Sequence, residues 1–261
     1  MLLENHLERT EAIRFKNEKI LDFLATHRYS TLRVLTKLLD AKSKSTASRV
    51  LKKLCENGYV QKAEIKDAIS KVVVFGITKK GIKEFNLNTK NPFIKSKVSL
   101  RTLAHKIGVQ FAHIYLIKQV EKYCLNENLT NRCHNPDYLK NEIKEDGKKV
   151  FNADLIFFLL DEKEQKTKNI IYVEVETSLK SYNRYKQIIL NYYAIKRESL
   201  LADQPVKQII YIFNDNKTKD KFKEMVSSYR RLMYHEIVTK KRGTQFEKVW
   251  EKLFSYRTLD M

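Results

Sequence analysis

The fold of this chain is decided by KVFNADLIFFLLDEKEQKTKNIIYVEVE, which runs from Lys149 to Glu176. Within it, residues 155–160 and 170–173 are apolar and are bounded by polar segments. Short apolar runs of this kind are typical of strands that are buried on both faces. The charged segment between them, DEKEQKTK, suits a turn. The pattern therefore predicts two buried strands joined as a hairpin.

Three carboxylates interrupt these apolar runs. Asp154 lies at the start of the first strand, and Glu174 and Glu176 end the second one. Residues two apart in a strand leave the same face, so both glutamates share a face. A buried acidic cluster is costly unless a cation neutralises it, and a divalent metal such as Mg²⁺ or Mn²⁺ commonly does so. The alternative is that the glutamates are solvated and paired with lysines while Asp154 caps a turn.

Composition limits the class of protein. A chain of 261 residues with 43% hydrophobic content can form one large or two small domains. It has no apolar run of 18 residues, and its N-terminus lacks the pattern of a signal peptide, so we expect a soluble cytoplasmic protein without a membrane partner. The three cysteines show no CxxC spacing and support neither a disulfide framework nor a structural zinc site.

The formal net charge of +20 indicates a polyanionic partner, and nucleic acid is the commonest one. Both halves of the chain are basic. The alternative is a lysine-rich composition that raises the charge without clustering it.

The first third of the chain predicts three helices followed by a hairpin. Residues 1–17 are polar and predict a short helix or a frayed arm, and apolar residues at helical spacing follow in 19–27 and 32–39. The third helix, Ser45–Asn57, places Ala47, Val50, Leu51 and Leu54 on one face, and Gly58 ends it. YVQKAEI and KVVVFGIT then read as strands, and TKKGIKEF reads as a short closing helix.

This segment resembles the winged helix-turn-helix domains of bacteria. The resemblance lies in LKKLCENGYVQKAEI together with FGITKKGIKEF. It implies that the third helix enters the major groove of double-stranded DNA while the hairpin contacts the backbone. The implied DNA-binding residues are Lys42, Lys44, Ser45, Thr46, Ser48, Arg49 and Lys52 around the third helix and Lys66 and Lys71 on the hairpin. Protein contacts are the alternative use of such a domain.

The rest of the chain predicts a second domain of mixed helices and strands. We expect a winged helix at residues 1–88, a linker at 89–99 and an α/β sandwich at 100–261, which makes the fold class α/β (α+β). The sandwich begins with a helix over residues 100–124, continues through the hairpin, and then has a helix over 181–196, a strand over 206–215, a helix over 218–234 and a short helix over 246–254. One short strand is expected before the hairpin.

The order of acids resembles the PD-(D/E)XK nuclease superfamily. Asn152-Ala153-Asp154 takes the place of Pro-Asp, and after nineteen intervening residues Glu174-Val175-Glu176 has Glu where Lys is expected. The resemblance implies that Asp154 and Glu174 hold the metal and that a cation of the following helix replaces the missing lysine. Lys180 and Lys186 are the candidates.

The two halves together resemble the replication-relaxation family of plasmid and integrative-element proteins, which is akin to the MOB-C relaxases. The shared features are the winged-helix ending, LAHKIGVQ with its early histidine, the D…EVExS hairpin, and a helix with Y-K-x5-Y, over residues 18–215. The resemblance implies catalytic roles for Asp154, Glu174, Glu176 and Lys186, with His105 near the site. No H-x-H occurs, so Tyr182, Tyr185, Tyr192 and Tyr193 are interpreted as packing or base-stacking residues rather than nucleophiles.

Two functions follow as hypotheses. The first is a mobile-element protein that binds an origin-like site through its winged helix and nicks DNA with Mg²⁺ or Mn²⁺. The second is a DNA-binding replication initiator or transcriptional regulator with an inactive nuclease-like domain. Expected partners are double-stranded DNA, single-stranded DNA at a nick, and a second copy of the chain.

Overall fold

The computed structural model describes residues 2–66, 70–87, 89, 91–134, 153–164, 166–199, 206–238 and 254–258. The chain divides into two compact units, Met1–Ile114 and Tyr115–Met261. The division falls within one long helix. The residue boundaries predicted for the domains and for a linker stay a prediction.

The first unit contains a helical group and a three-stranded sheet. Its elements are, in chain order, α1 (Leu2–His27), β1 (Tyr29–Ser30), α2 (Leu32–Leu38), α3 (Lys44–Glu56), β2 (Val60–Lys66), β3 (Lys71–Ile77), α4 (Lys79–Glu84), a 3-10 turn (Lys95–Lys97) and the start of α5 (Leu100–Asn126). The strands pair antiparallel in the order β1-β3-β2. The predicted order of three helices and a hairpin is therefore observed.

The helical core of this unit forms where apolar residues recur at helical spacing. In α3 the buried side chains are Ala47, Val50, Leu51 and Leu54, the four that the sequence places on one face. Three of them, Val50, Leu51 and Leu54, pack with Ile20, Leu21 and Leu24 of α1 and with Val34 and Leu35 of α2. Burial of this stripe turns the polar side of α3 outward.

A tight junction joins α3, the hairpin and α4. Gly58 has a φ of +73°, a conformation that favours glycine, and its N–H donates to the carbonyl of Cys55 as α3 ends. The Thr78 hydroxyl donates to the Gly58 carbonyl at 2.7 Å and accepts from the Gly81 N–H at 3.1 Å. A Cβ at Gly81 would lie 2.4 Å from the Tyr59 carbonyl oxygen. The segments Gly58-Tyr59-Val60 and Ile77-Thr78-Lys79-Lys80-Gly81 thus form the contacts that fix the hairpin against the helices.

The second unit is built on one five-stranded sheet. After the end of α5 come β4 (Leu129–His134), β5 (Leu155–Asp161), β6 (Thr167–Glu176), α6 (Tyr182–Ser199), β7 (Val206–Phe213), α7 (Asn216–Val238) and β8 (Phe254–Thr258). The strand order is β4-β5-β6-β7-β8, with antiparallel pairs from β4 to β6 and parallel pairs from β6 to β8. Parallel neighbours need crossover connections, and α6 and α7 supply them.

One face of this sheet packs against both crossover helices. Tyr185, Ile189 and Tyr192 of α6 and Phe222 and Val226 of α7 share a buried cluster with alternate residues of β7 and β8, which are Ile209, Tyr211, Phe213 and Phe254. The same face continues onto β6, because Glu174 lies opposite Tyr211 and Glu176 lies opposite Phe213 in the parallel pairing of β6 with β7. The two glutamates therefore share the face that α6 covers.

The mixed α+β fold class is confirmed, and two local predictions need correction. Residues 2–17 are not a separate short helix or arm but the first part of a helix that continues to His27. Phe254, predicted to end a short helix, instead begins β8; residues 246–253 lie outside the described residues. Within the described part of the chain, no helix is both long and apolar enough to span a membrane.

Candidate functional site

The hairpin of β5 and β6 brings the three predicted acids to one end of the sheet. Leu155 lies opposite Val173, so Asp154, just before β5, lies beside the end of β6. The N–H of Asp154 donates to the Val173 carbonyl at 3.0 Å, and its Oδ2 accepts from the Val175 N–H at 2.8 Å. Asp154 is thus fixed to the backbone on both sides of Glu174. Asn152, the first residue of the predicted motif, lies outside the described residues.

The two glutamates are almost fully buried. Glu174 is 4% exposed and Glu176 is 1% exposed, whereas Asp154 is half-buried. Carboxylates in such surroundings require hydrogen-bond donors or cations. The partners of these three acids therefore decide what the site can do.

Two tyrosines of α6 contact the glutamates. The Tyr192 hydroxyl donates to Oε1 of Glu174 at 2.7 Å. The Tyr185 hydroxyl accepts from the N–H of Lys180 at 3.2 Å. Burial and the nearby charge of Glu176 raise the pKa of Tyr185. Both tyrosine side chains are fully buried. The Tyr192 hydroxyl therefore satisfies a carboxylate that water does not reach.

Lys180 is the cation that contacts the acids. Its Nζ forms an ion pair with Oε1 of Glu176, in which the lysine side chain is 26% exposed and the glutamate side chain 2% exposed. Lys186 is exposed on α6, one residue beyond the buried Tyr185. Of the two lysines considered from the sequence, Lys180 is thus the one beside the acids, and the catalytic role predicted for Lys186 stays a prediction.

Charge and burial raise the pKa of both glutamates. For Glu174, burial is the larger cause and the charge of Asp154 the next, and together they hold its pKa well above the ordinary value despite the Tyr192 hydrogen bond. Burial also raises the pKa of Glu176, while Lys180 and Tyr185 oppose that shift. The negative charge of Asp154 thus disfavours the ionised form of Glu174.

Asp154 and Glu174 are the two carboxylates that could hold a divalent cation, and such a site stays a prediction. The described residues contain no group of three or more His, Cys, Asp or Glu side chains that is placed to hold a metal. Mg²⁺ nevertheless binds through one or two carboxylates, with water and phosphate completing its shell. Two buried polar atoms on the neighbouring strand and its end, the Tyr211 hydroxyl and Oδ1 of Asn214, have no hydrogen-bond partner among the described residues. Bound water would satisfy both atoms.

The predicted DNA-binding residues lie on the outer side of α3 and at the hairpin. Lys42, Lys44, Ser45, Ser48, Arg49 and Lys52 are exposed, and Thr46 is half-buried. Lys66 and Lys71 are exposed and lie opposite each other where β2 ends and β3 begins. Lys71 also pairs with Glu64 at 2.6 Å, and Lys52 lies 3.9 Å from Glu56. Within the same surface, Nε of Arg49 donates to the Ser45 carbonyl at 3.4 Å, and the Ser45 hydroxyl lies 2.6 Å from that of Ser43.

His105 is half-buried on α5 and belongs to the first unit, whereas the acids belong to the second. Its predicted place near the acids stays a prediction. His113, on the same helix, is buried, and its Nδ1 lies 2.8 Å from Nε2 of His27.

Sequence reasoning did not find the roles of Tyr185 and Tyr192 as partners of the glutamates. Both were interpreted as packing or base-stacking residues, and their burial excludes stacking on an exposed base. A signal was present, because Tyr185, Ile189 and Tyr192 recur at helical spacing and so mark the buried face of α6. Tyr182 is 40% exposed, and the side chain of Tyr193 lies outside the described residues.

Comparison with known proteins gives one family. The family model described as replication-relaxation matches residues 21–209. No curated protein sequence matches the chain. Among solved structures, a mutant of Lactococcus lactis ZitR in apo form is similar at 17% identity and a TM-score of 0.25, over 55% of this chain and 92% of that one. A similarity with so low a score carries no structural argument.

Proposed function

The chain belongs to the replication-relaxation family, and on this premise we propose that it binds DNA through α3 and the hairpin and nicks it at Asp154 and Glu174. Family membership indicates a role in the replication or mobilisation of a plasmid or another mobile element. The finer proposal places the protein in the cytoplasm, at an origin-like site. The observation that carries it is the placement of the half-buried Asp154, just before β5, beside the buried Glu174 of β6.

The exposed basic side of α3 in the first unit supports DNA binding. In α3 one face is buried, while the other presents Lys44, Arg49 and Lys52 within three turns of helix. A helix of this width fits the major groove, where arginine reads guanine and lysine contacts phosphate. Lys66 and Lys71 would then contact the backbone beside the groove, as the wing of a winged helix does.

The second unit supports phosphodiester hydrolysis through its acids. Asp154 is held by the β6 backbone and Glu174 by Tyr192, so these two carboxylates would hold Mg²⁺ or Mn²⁺. When bound, such an ion polarises the phosphate and lowers the pKa of bound water. Glu176 holds the ammonium group of Lys180 at the same end of the sheet. Lys180 would then offset the negative charge that develops on the phosphate during hydrolysis.

Lys180 takes the part of the lysine that the nuclease motif places after the second acid. Glu176 occupies that strand position, and its side chain pairs with Lys180 four residues later. In this proposal the positive charge that the motif places on the strand comes instead from Lys180, in the loop before α6. This assignment replaces Lys186 as the first choice for the catalytic cation in our proposal.

The test is the nicking of supercoiled plasmid that carries the element's own origin, with Mn²⁺ or Mg²⁺ and then with chelator. We expect wild-type protein to nick only with the cation. Glu174→Gln should lose this activity, because the amide keeps the shape of the side chain and its hydrogen bond to Tyr192 but removes the charge. Glu164→Gln, an exposed glutamate in the hairpin turn, is the matched control and should nick as the wild type does.

Loss of folding is separable from loss of the site. Without cation, Glu174→Gln should melt no lower than wild type, because it removes a charge that is buried beside Asp154. Equal nicking by wild type and Glu174→Gln would contradict the proposed catalytic site.

The second candidate function is a non-catalytic DNA-binding initiator or regulator. The observation in its favour is that Lys180 already neutralises Glu176, and that the described residues have no third side chain placed with the acid pair to hold metal. Under this function, origin DNA is bound in chelator and in Mn²⁺ alike, and it is never cut. The same plasmid experiment therefore separates the two functions.

A further inference from the structure

The two tyrosines of α6 are matched one to one with the two glutamates of β6. Tyr192 donates to Glu174 at 2.7 Å, and Tyr185 lies close enough to Glu176 for the carboxylate charge to act on its hydroxyl. The order is reversed along the chain, so that the first tyrosine meets the last glutamate. A helix that follows a strand in a crossover runs back along the sheet. The reversal is thus the expected result of a helix that lies along the face bearing both acids.

We infer that Tyr192 and Tyr185 are positioning residues with separate tasks, in which Tyr192 holds Glu174 for the cation and Tyr185 holds Glu176 and Lys180 for turnover. The inference rests on the proposed function and deepens it. It assigns roles to hydroxyls that the sequence motif alone leaves as packing residues.

Packing fixes the rings before the hydroxyls act. The Tyr185 ring lies 4.7 Å from the Phe222 ring, edge to face, and the Tyr192 ring lies 5.5 Å from the Tyr172 ring. Both tyrosines are fully buried. A ring with little freedom places its hydroxyl in one position, whereas a glutamate side chain has several torsions to fix. A hydrogen bond from the fixed hydroxyl therefore restricts the glutamate carboxylate to one position.

Tyr185 also contacts the loop before α6. Its hydroxyl accepts from the Lys180 N–H at 3.2 Å, and the Nζ of the same lysine pairs with Glu176. The hydroxyl thus holds the backbone of the residue whose ammonium group pairs with the carboxylate. Removing it would release the position of Lys180 without touching Asp154 or Glu174, the two proposed ligands.

The alternative is that both tyrosines only pack, and that their hydroxyls take the nearest acceptor. Replacement by phenylalanine distinguishes the two cases because the ring is kept. Outer partners of metal ligands commonly change metal affinity or activity by about 10- to 100-fold when they are removed. A packing residue would instead change thermal stability and leave cation affinity alone.

The experiment measures Mn²⁺ affinity by titration calorimetry and the nicking rate on supercoiled plasmid, both with the full chain. We expect Tyr192→Phe to bind Mn²⁺ about 10-fold or more weakly, and its nicking rate to recover when Mn²⁺ is raised. Tyr185→Phe should bind Mn²⁺ as wild type does and nick about 10-fold more slowly, without rescue by Mn²⁺.

Tyr211→Phe is the matched control. Tyr211 is equally buried and lies on the same face opposite Glu174, and its hydroxyl has no partner among the described residues. It should leave Mn²⁺ affinity within about 2-fold of wild type, because no protein hydrogen bond is removed. If Tyr192→Phe fails to fold, the split between affinity and rate in Tyr185→Phe decides the inference.

The outcomes keep this inference apart from the proposed function. Wild-type Mn²⁺ affinity in Tyr192→Phe, or equal losses in Tyr192→Phe and Tyr211→Phe, would overturn the inference while the cation site stands. A protein whose Mn²⁺ affinity falls in Tyr192→Phe, but which never cuts DNA, would overturn the nicking function and leave the role of Tyr192 supported. A wild-type protein that binds no Mn²⁺ would overturn both.

Discussion

A buried pair of histidines makes the first unit sensitive to acid. Nε2 of His27 lies 2.8 Å from Nδ1 of His113, and Phe23 packs against both rings. One ring nitrogen donates and the other accepts, so the hydrogen bond is lost once both rings are protonated. Burial, and then the charge of His113, lowers the pKa of His27 well below its ordinary value, and burial lowers the pKa of His113 to about 4.

The sign of the pH effect follows from these shifts. Between about pH 6.5, the ordinary pKa of histidine, and about pH 4, the unfolded chain binds protons that the folded pair refuses. The unfolding free energy of the first unit should therefore fall as pH drops through this window and change little above it. Calorimetric melts of wild type and His113→Asn between pH 7.5 and 4.5 measure the effect, and the variant should lose stability less steeply with acid.

His105→Asn is the control for this measurement, because it makes the same change on the same helix at a half-buried position. It should keep the wild-type slope. Equal slopes for all three proteins would show that acid sensitivity comes from other groups, such as the paired carboxylates.

At the scale of the element, α3 should carry DNA affinity through its exposed side. Its burial pattern leaves Lys44, Ser48 and Arg49 outward on the first turns. We expect Lys44→Ala to weaken binding to all sequences alike and to reduce the salt slope by about one, as the loss of one phosphate contact does. Arg49→Ala should cost about 1–3 kcal/mol on the cognate site and relax its discrimination, as the loss of a base contact does.

Fluorescence anisotropy with cognate and scrambled duplexes measures both effects, with chelator present so that nothing is cut. Lys83→Ala, an exposed lysine in the last turn of α4, provides the matched loss of one charge. A loss of affinity as large in Lys83→Ala as in the α3 variants would mean that the charge of the whole unit, rather than the α3 surface, holds the DNA.

Local pattern was enough to predict most elements and not enough to predict their contacts. Residues 47, 50, 51 and 54 define α3 by spacing alone, and the apolar runs before and after the charged turn define β5 and β6. The strand Phe254–Thr258 was missed because its five residues have a partner far away in the chain, in β7. The full length of α1 was not predicted, because residues 2–17 lack a continuous apolar face and so give no periodic signal.

The same distinction explains the candidate site. Acids that interrupt apolar strands can be found in the sequence, because a charge there needs a reason. The partners of those acids are found only in part in this way. Lys180 was one of two candidate cations, whereas Tyr192 reaches Glu174 only through the reversed direction of α6. A contact of this kind depends on tertiary geometry.

At the scale of the whole molecule, the question is whether the net charge of +20 is organised for DNA or is only a lysine-rich composition. Organised charge neutralises a defined number of phosphates, and each one adds about 0.9 to the slope of log affinity against log salt. The exposed lysines of α3 and the hairpin, Lys42, Lys44, Lys52, Lys66 and Lys71, would supply about five phosphate contacts. Binding would then weaken by about 500-fold between 50 and 200 mM salt.

The same salt series separates binding from catalysis and from association of two copies. Asp154→Asn should keep the wild-type slope of log affinity against log salt, because it changes the proposed catalytic site in the second unit and leaves the first unit intact. A slope near two would contradict an organised DNA surface and favour composition as the source of the charge. Sedimentation of the protein with its duplex at each salt concentration reports whether one or two copies bind, so the predicted homodimer is tested on the samples that measure affinity.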